Sequence, residues 1–220
     1  MKTTDFKNEI KACIFDFDGT IIDSEKYHYE AWNNVARAIG ADFSYEEYLP
    51  FKSAGRKVVI PYLLNKVGLT VSDELYEKCY LLREEEIAKS LKKLKKDDLI
   101  EGVEDFIKLL KENGILVAVA SSSASATFTA KRFGIYDLFD AFVDGNALLA
   151  AKPKPDIFLY TARLLGVKPE NCVVFEDSIN GLKGGKNANM KVVGIGTYFT
   201  DIADRIIDDF KAANLKTIEF

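Results

Sequence analysis

The chain has 220 residues, 48% of them hydrophobic and 29% charged, with a formal net charge of −4. That length and apolar content can bury a sizeable core in one domain, or in one domain carrying a smaller insertion. The acidic balance supplies no broad positive field, so nucleic acid and anionic membrane are disfavoured as partners, and no apolar run reaches the ~20 residues that span a bilayer.

At the amino terminus, MKTTDFKNEI lacks the apolar stretch of a secretion signal, which makes a cytoplasmic location the expectation. KACIFDF at 11–17 reads as a buried strand running into Asp16-Phe17-Asp18-Gly19. Residues two apart on a strand face the same side, so Asp16 and Asp18 converge where the chain turns, and Gly19 lets the backbone bend close to a ligand. Two adjacent carboxylates repel each other, and a cation between them resolves the repulsion; hard oxygen ligands suit Mg2+. Taken alone, the same pattern also serves as a polar turn or a helix N-cap. Asp23 either joins these groups or starts the next helix, the second being preferred.

From about residue 24 to 96 no strand pattern occurs. Amphipathic stretches at 25–40, 45–51, 55–68 and 72–96 predict a helical insertion directly after the first strand, with Pro50 and Pro61 marking breaks or kinks. The KKLKK run at 92–96 is the densest basic stretch and reads as a solvated helix end. The crossings near 22–24 and 96–100 are the expected hinges.

Strands and helices then alternate. A helix at 103–113 leads to the strand ILVAVA at 115–120, after which Ser121, Ser122 and Ser123 open a helix at 125–134. Serine hydroxyls beside unpaired helix amides make a phosphate cradle, although serine also starts helices simply as a cap. AFVDG at 141–145 is a third strand, and AAKPKPDIF follows, where Pro153 and Pro155 stiffen a turn that aims Lys152 or Lys154 before a helix at 156–166. CVVFED at 172–177 ends on a second acidic pair, Glu176 and Asp177; a helix at 180–190 and a strand at 191–196 complete the series.

Alternation of this kind implies a mostly parallel sheet covered on both faces, with ligands at the carboxyl ends of its strands. Acidic residues are depleted within strands, so two strands that each close on paired carboxylates point to one shared cation. Cys13, Cys79 and Cys172 are few and scattered, which favours buried thiols over disulfides. His28 is the only histidine, which excludes multi-histidine metal sites and any serine–histidine pair not built on it. No GxxxxGK or GxGxxG follows a strand, and Gly184-Gly185-Lys186 falls within a helical stretch.

Taken together, Asp16-Phe17-Asp18-Gly19-Thr20, Ser121, Lys152 in Lys-Pro-x-Pro-Asp, and Glu176-Asp177-Ser178-x-x-Gly181 resemble the four ordered motifs of the haloacid dehalogenase superfamily. The helical insertion resembles the cap of its β-phosphoglucomutase-like subfamily. The resemblance implies an α/β fold, a Rossmann-like parallel-sheet core with an inserted four-helix-bundle cap, the core being 1–22 with 98–220 and the cap 23–97. It implies an enzyme acting on a small-molecule phosphate ester with Mg2+ as cofactor, through an aspartyl-phosphate. Asp16 would be the nucleophile and Asp18 the general acid and base. The metal would lie on Asp16, Asp18 through its backbone carbonyl, and Asp177, with Glu176 beside it or acting through water. Ser121, Ser122 and Lys152 would hold the phosphoryl group; Lys152 is chosen over Lys154 because it stands directly before Pro-x-Pro-Asp, and Lys154 is expected to be exposed. True dehalogenases lack the second aspartate, so Asp18 argues for phosphate chemistry.

In the cap, His28, Trp32, Arg56 and Arg83 match positions near the substrate, Trp32 being equally suited to the cap's own core. Two departures, Ala124 where mutases of this type have lysine and Ser53 where they have glycine, favour a phosphatase of sugar phosphates. The alternative is a β-phosphoglucomutase, and a catalytically silent phosphate sensor comes third. A monomer is expected, since opening a cap needs room.

Overall fold

The protein is described by a computed structural model over residues 10–52, 54–196 and 201–220. Ser53 and residues 1–9, which make up most of the MKTTDFKNEI segment, lie outside the described residues.

The chain enters on β1 (Ala12–Phe15), passes through α1 (Glu25–Ala38), α2 (Tyr45–Tyr48), α3 (Arg56–Lys66) and α4 (Asp73–Leu91), and then alternates. The alternating part comprises α5 (Val103–Glu112), β2 (Leu116–Ala120), α6 (Ala126–Phe133), β3 (Ala141–Val143), α7 (Asp156–Leu165), β4 (Cys172–Glu176), α8 (Ile179–Asn187), β5 (Lys191–Ile195) and β6 (Arg205–Ile207). The six strands form one parallel sheet in the order β3-β2-β1-β4-β5-β6. β1 is flanked by β2 and β4, and the pairs Phe15↔Val119 and Phe15↔Phe175 bring the carboxyl ends of all three strands level.

Burial explains the strand sequences. Every residue of β1 and β4 is inaccessible, so both read as continuous apolar runs rather than alternating ones. On one face Phe15 stacks on Phe175 with centroids 4.6 Å apart, and Phe106 of α5 and Phe210 pack against both. Each such ring contributes about 1.5–3 kcal/mol on burial, enough to pin the strands that carry the acidic residues. On the other face Phe158 of α7 touches the α8 backbone at Gly184, a position where a β-carbon would crowd the ring.

Between β1 and α5 the helices make a separate hydrophobic cluster built on Trp32, Val35, Phe43, Ile60 and Leu63. The two crossings run side by side: Asp23 donates its N–H to the Asp98 carbonyl at 2.8 Å, and Ile100 to the Ile21 carbonyl at 2.9 Å. Ile22 between them is fully buried.

Two expectations change here, and one strand is added. Of the two readings of Pro61, break or kink, the break does not occur: Pro61 lies inside α3, which continues past it, and its missing N–H faces only the carbonyl of the exposed Lys57. α4 stops at Leu91, so the lysine-rich run is a turn and not a helix end; Leu94 is fully buried and Arg132 of α6 donates to the carbonyls of Leu91, Lys92 and Leu94. β6 is not anticipated from sequence, being three residues at the sheet edge set among aspartates. All three cysteines are buried free thiols, Lys154 is exposed, and among the described residues no helix is long and apolar enough to cross a membrane.

Candidate active site

The level strand ends set the site. Asp16 follows β1 directly and donates its N–H to the Phe175 carbonyl at 2.9 Å, which fixes it beside Glu176, the last residue of β4. Gly19 turns the chain with φ +82°, and a β-carbon there would run into the Asp177 carboxylate. Gly181 plays the same part for Glu176, whose carboxylate fills the space a side chain would need. Glycine at these two points lets backbone approach carboxylate, a close packing no other residue allows.

Lys152 ties the acidic groups together. Its ammonium lies 2.6 Å from Asp16 Oδ1 and 2.6 Å from Glu176 Oε1, with none of its side chain exposed. Burial lowers its pKa, but the two carboxylates outweigh burial and raise it, so Lys152 stays charged. The other Glu176 oxygen accepts from the Ser178 N–H at 2.9 Å and the Ser178 hydroxyl at 2.8 Å. Glu176 is therefore engaged at both oxygens.

Carboxylate oxygens of Asp16, Glu176 and Asp177 lie within 4.8 Å of one another, all three residues buried. Burial pushes Asp16 well above the ordinary carboxylate range; Lys152 pulls it down and the neighbouring Glu176 and Asp177 push it up again. Asp177 is pushed up to about 6, first by burial, despite the opposing pull of Lys52. Its Oδ1 is buried without a hydrogen-bond partner. Three crowded carboxylates, a raised pKa and an orphaned oxygen are the signature of a hard-cation site, and the donor set fits one.

Asp18 faces a different neighbourhood. Its Oδ1 accepts from the Ser24 hydroxyl at 2.5 Å and lies 3.0 Å from His28 Nε2. Burial raises the Asp18 pKa, but the His28 and Ser24 contacts outweigh it and leave the carboxyl below its ordinary value. On the far side of the ring, Arg83 Nη2 is 3.0 Å from His28 Nδ1. A guanidinium can only donate, so Nδ1 accepts and the imidazole hydrogen sits on Nε2, toward Asp18. Arg83 also lies over Trp32, 5.4 Å from its ring centroid, and pairs with Glu84 at 2.9 Å.

These groups enclose a cavity of about 100 Å³ between sheet and helices. Asp16, Asp18, Ser121, Ser122 and Asp177 form its floor, and His28, Trp32, Arg56, Arg83, Glu84 and Ala124 are among its walls. Arg56 lies over Tyr80, 4.5 Å from the ring centroid.

A family model for haloacid dehalogenase-like hydrolases matches residues 10–189. The chain belongs to that family. Within it the chain groups with β-phosphoglucomutase-like members: it is 34% identical to a β-phosphoglucomutase of Bacillus subtilis (strain 168), over 85% of this chain and 84% of that one. It is 32% identical to hexitol phosphatase B of Escherichia coli (strain K12), over 84% and 83% respectively. The crystal structure of a β-phosphoglucomutase from Clostridium difficile superposes with a TM-score of 0.88 at 30% identity, covering 95% of both chains. A phosphatase and a mutase thus stand at similar distance, and the chain is an enzyme of the phosphohydrolase and phosphotransferase type that family contains.

For this family member the helical unit is the cap, and of the eleven site residues anticipated from sequence nine line one cavity, while Lys152 and Glu176 lie against its acidic floor. Lys152 departs from expectation in orientation: it lies beneath Asp16 rather than lining the cavity, because two buried carboxylates claim its charge. The Asp18 side chain bonds Ser24 and is not one of the three grouped carboxylates. Asp23 is exposed and outside the group. Sequence reasoning passes over Ser24, Glu25, Lys52 and Glu84, all at the site. For Lys52 a signal existed, a lysine four residues before Arg56 in the same glycine-containing loop.

Proposed function

We propose that this enzyme is a Mg2+-dependent phosphatase of small phosphorylated metabolites, sugar phosphates in particular, working through an aspartyl-phosphate. The observation that carries the reading is the buried Asp16–Lys152–Glu176 chain beside Asp177, whose Oδ1 has no partner. Asp16 and Asp177 would hold the cation with the Asp18 carbonyl, and Glu176 would act through Lys152 and Ser178. Mg2+, when bound, would neutralise charge on the phosphoryl oxygens.

Asp16 attacks phosphorus, forming the acyl–phosphate bond as the ester P–O bond breaks. Lys152 opposes the burial that favours the neutral acid and fixes that carboxylate from beneath, two of its three donors serving Asp16 and Glu176. Ser121 and Ser122 bind from the β2 end. Asp18 delivers a proton to the departing alkoxide and then takes one from the attacking water, which releases phosphate. Before substrate arrives His28 and Ser24 hold Asp18 ionised, and an incoming phosphate anion favours its protonation. Since phosphoryl transfer depends on positioning and charge more than on covalent chemistry by the protein, these groups suffice.

We assign 1–22 with 98–220 to the core and 23–97 to the cap, on the ground that the chain crosses only at the paired segments near Ile22 and Ile100. Cap closure then excludes water from the cavity.

The walls support hydrolysis over mutation of the phosphate position. A mutase must hold a second phosphate, yet Glu25 and Glu84 pair with Lys52 and Arg83, and Ala124 adds no charge. The second reading, a β-phosphoglucomutase, is favoured by Arg56, which faces the cavity with no carboxylate partner among the described residues. β-Glucose 1-phosphate with Mg2+ and a trace of the bisphosphate separates the two: free phosphate supports the phosphatase, and glucose 6-phosphate overturns it in favour of the mutase. Turnover of phosphate esters retained by Asp16→Asn would refute the nucleophile.

A further inference from the structure

Lys52 follows the short 3-10 turn after α2, and its ammonium lies 2.6 Å from Asp177 Oδ2 and 2.6 Å from Glu25 Oε2. The contact joins the cap to the acidic floor across 125 positions of sequence and is well shielded, with the Lys52 side chain 17% and that of Asp177 7% exposed. The same segment is tied by its backbone, since Asn180 at the start of α8 donates to the carbonyls of Pro50 and Lys52 at 3.2 and 3.0 Å. Tyr45 donates to the other oxygen of Glu25 and holds it in place.

The two Asp177 oxygens are treated unequally. Lys52 takes Oδ2, while Oδ1 is buried with no partner, and Asp177 is one of the three grouped carboxylates that fit a cation. A carboxylate hydrogen-bonded through one oxygen has its plane fixed, so the other oxygen is presented in a set direction. An uncompensated ammonium would oppose a nearby cation, but Glu25 offsets the charge of Lys52 at the same 2.6 Å. The arrangement orients Asp177 without spending its charge.

We propose that Glu25, Lys52 and Asp177 form a cap-borne positioning chain that completes the cation site when the cap is closed on the core. Lys52 is a positioning residue: it touches the ligand-bearing carboxylate, and acts on the cation through it. The inference rests on the reading of Asp16 and Asp177 as cation ligands. It adds a consequence that reading lacks, namely that cation affinity and cap closure are linked in the same direction.

The test is the dissociation constant for Mn2+ alone, measured by titration calorimetry on the full-length protein without substrate, with circular dichroism to verify folding. Lys52→Met is expected to weaken binding about tenfold or more, the ordinary loss when the partner of a metal-ligating carboxylate is removed. Lys52→Arg is expected to recover part of it. Glu25→Gln keeps the shape but leaves Lys52 uncompensated, so it too weakens binding, and more at low than at high ionic strength. Asn180→Ala supplies a variant that loosens the cap without touching the charges, and it is expected to weaken Mn2+ less than Lys52→Met does. Unchanged affinity in Lys52→Met, with Mn2+ binding abolished by Asp177→Asn, would overturn the positioning chain alone. Tighter binding in Lys52→Met would overturn it by showing that the ammonium competes with the cation. Absence of Mn2+ binding in the wild-type protein would sink both the chain and the metal reading beneath it.

Discussion

Asp16, Ser121 and Asp177 stand at the ends of three neighbouring parallel strands, each within two residues of its ladder. His28, Arg56 and Arg83 stand on three different helices, and their places depend on how those helices pack. In the core, one register fixes every acidic group at once, since sliding a strand would take its apolar run out of the sheet. In the cap, position comes from side-chain contacts such as Arg83 over Trp32 and Arg56 over Tyr80, each worth on the order of 0.5–2 kcal/mol. Rigid chemistry below and adjustable recognition above is what a family needs if it is to change substrate while keeping its reaction.

Variants on the two sides should therefore differ in size of effect. Asp16→Asn removes the proposed attacking group and is expected to lower kcat by about 10³-fold or more with folding intact, measured as phosphate release from an ester in Mg2+. Lys152→Met should cost stability as well as turnover. It leaves Asp16 and Glu176 buried and unpaired, for which roughly 3–5 kcal/mol is expected, read as a fall in the urea midpoint. A loss below about 1 kcal/mol would mean that the core is less rigid than its packing implies.

The same contrast governs what could be read from sequence. Asp16 and Asp177 are legible because an apolar run ending on a carboxylate is rare and because parallel strands gather their ends. Choosing Lys152 over Lys154 required the resemblance, since both look like surface lysines and only burial distinguishes them. Lys52 and Glu25 are not legible as a pair, being 27 residues apart on elements whose mutual packing no periodicity encodes. α3 illustrates the limit further: its buried residues Val59, Ile60, Leu63 and Leu64 make a helical face, yet its proline suggests a break that tertiary contacts override.

A pH titration sharpens the comparison from the core side. Because the folded pKa of Asp177 is about 6 and its ordinary value 3.8, the folded metal-free protein binds more protons between those values than the unfolded chain. That contribution is complete below the unfolded pKa and is lost as pH rises through about 6, at most about 3 kcal/mol of stability. Asp16, also raised, acts in the same sense. Mg2+ is thus expected to raise Tm more at pH 7 than at pH 4.5. An equal shift at both values would contradict the assignment of these carboxylates to the cation.

On the cap side, Arg83→Met is expected to lower kcat/KM by about tenfold. It removes the donor that keeps the His28 hydrogen on Nε2, so the ring can flip its tautomer and lose Asp18. The effect should appear in kcat more than in KM, because Asp18 is proposed to act on the leaving oxygen; a change confined to KM would make Arg83 a substrate contact instead.

The smallest effect separates cap residues that face the cavity from those that do not. Lys89 on α4 pairs with Glu85 at 2.8 Å and Glu86 at 3.0 Å, but its side chain is 57% exposed. Water screens such pairs and holding long side chains costs entropy, so Lys89→Ala should change stability by no more than about 0.5 kcal/mol and leave turnover untouched. Arg83 is on the same helix, six residues earlier, with 13% of its side chain exposed and one face against His28. If Lys89→Ala impaired turnover as much as Arg83→Met, the cap would be acting through its overall rigidity, and the assignment of recognition to its cavity-facing side chains would fail.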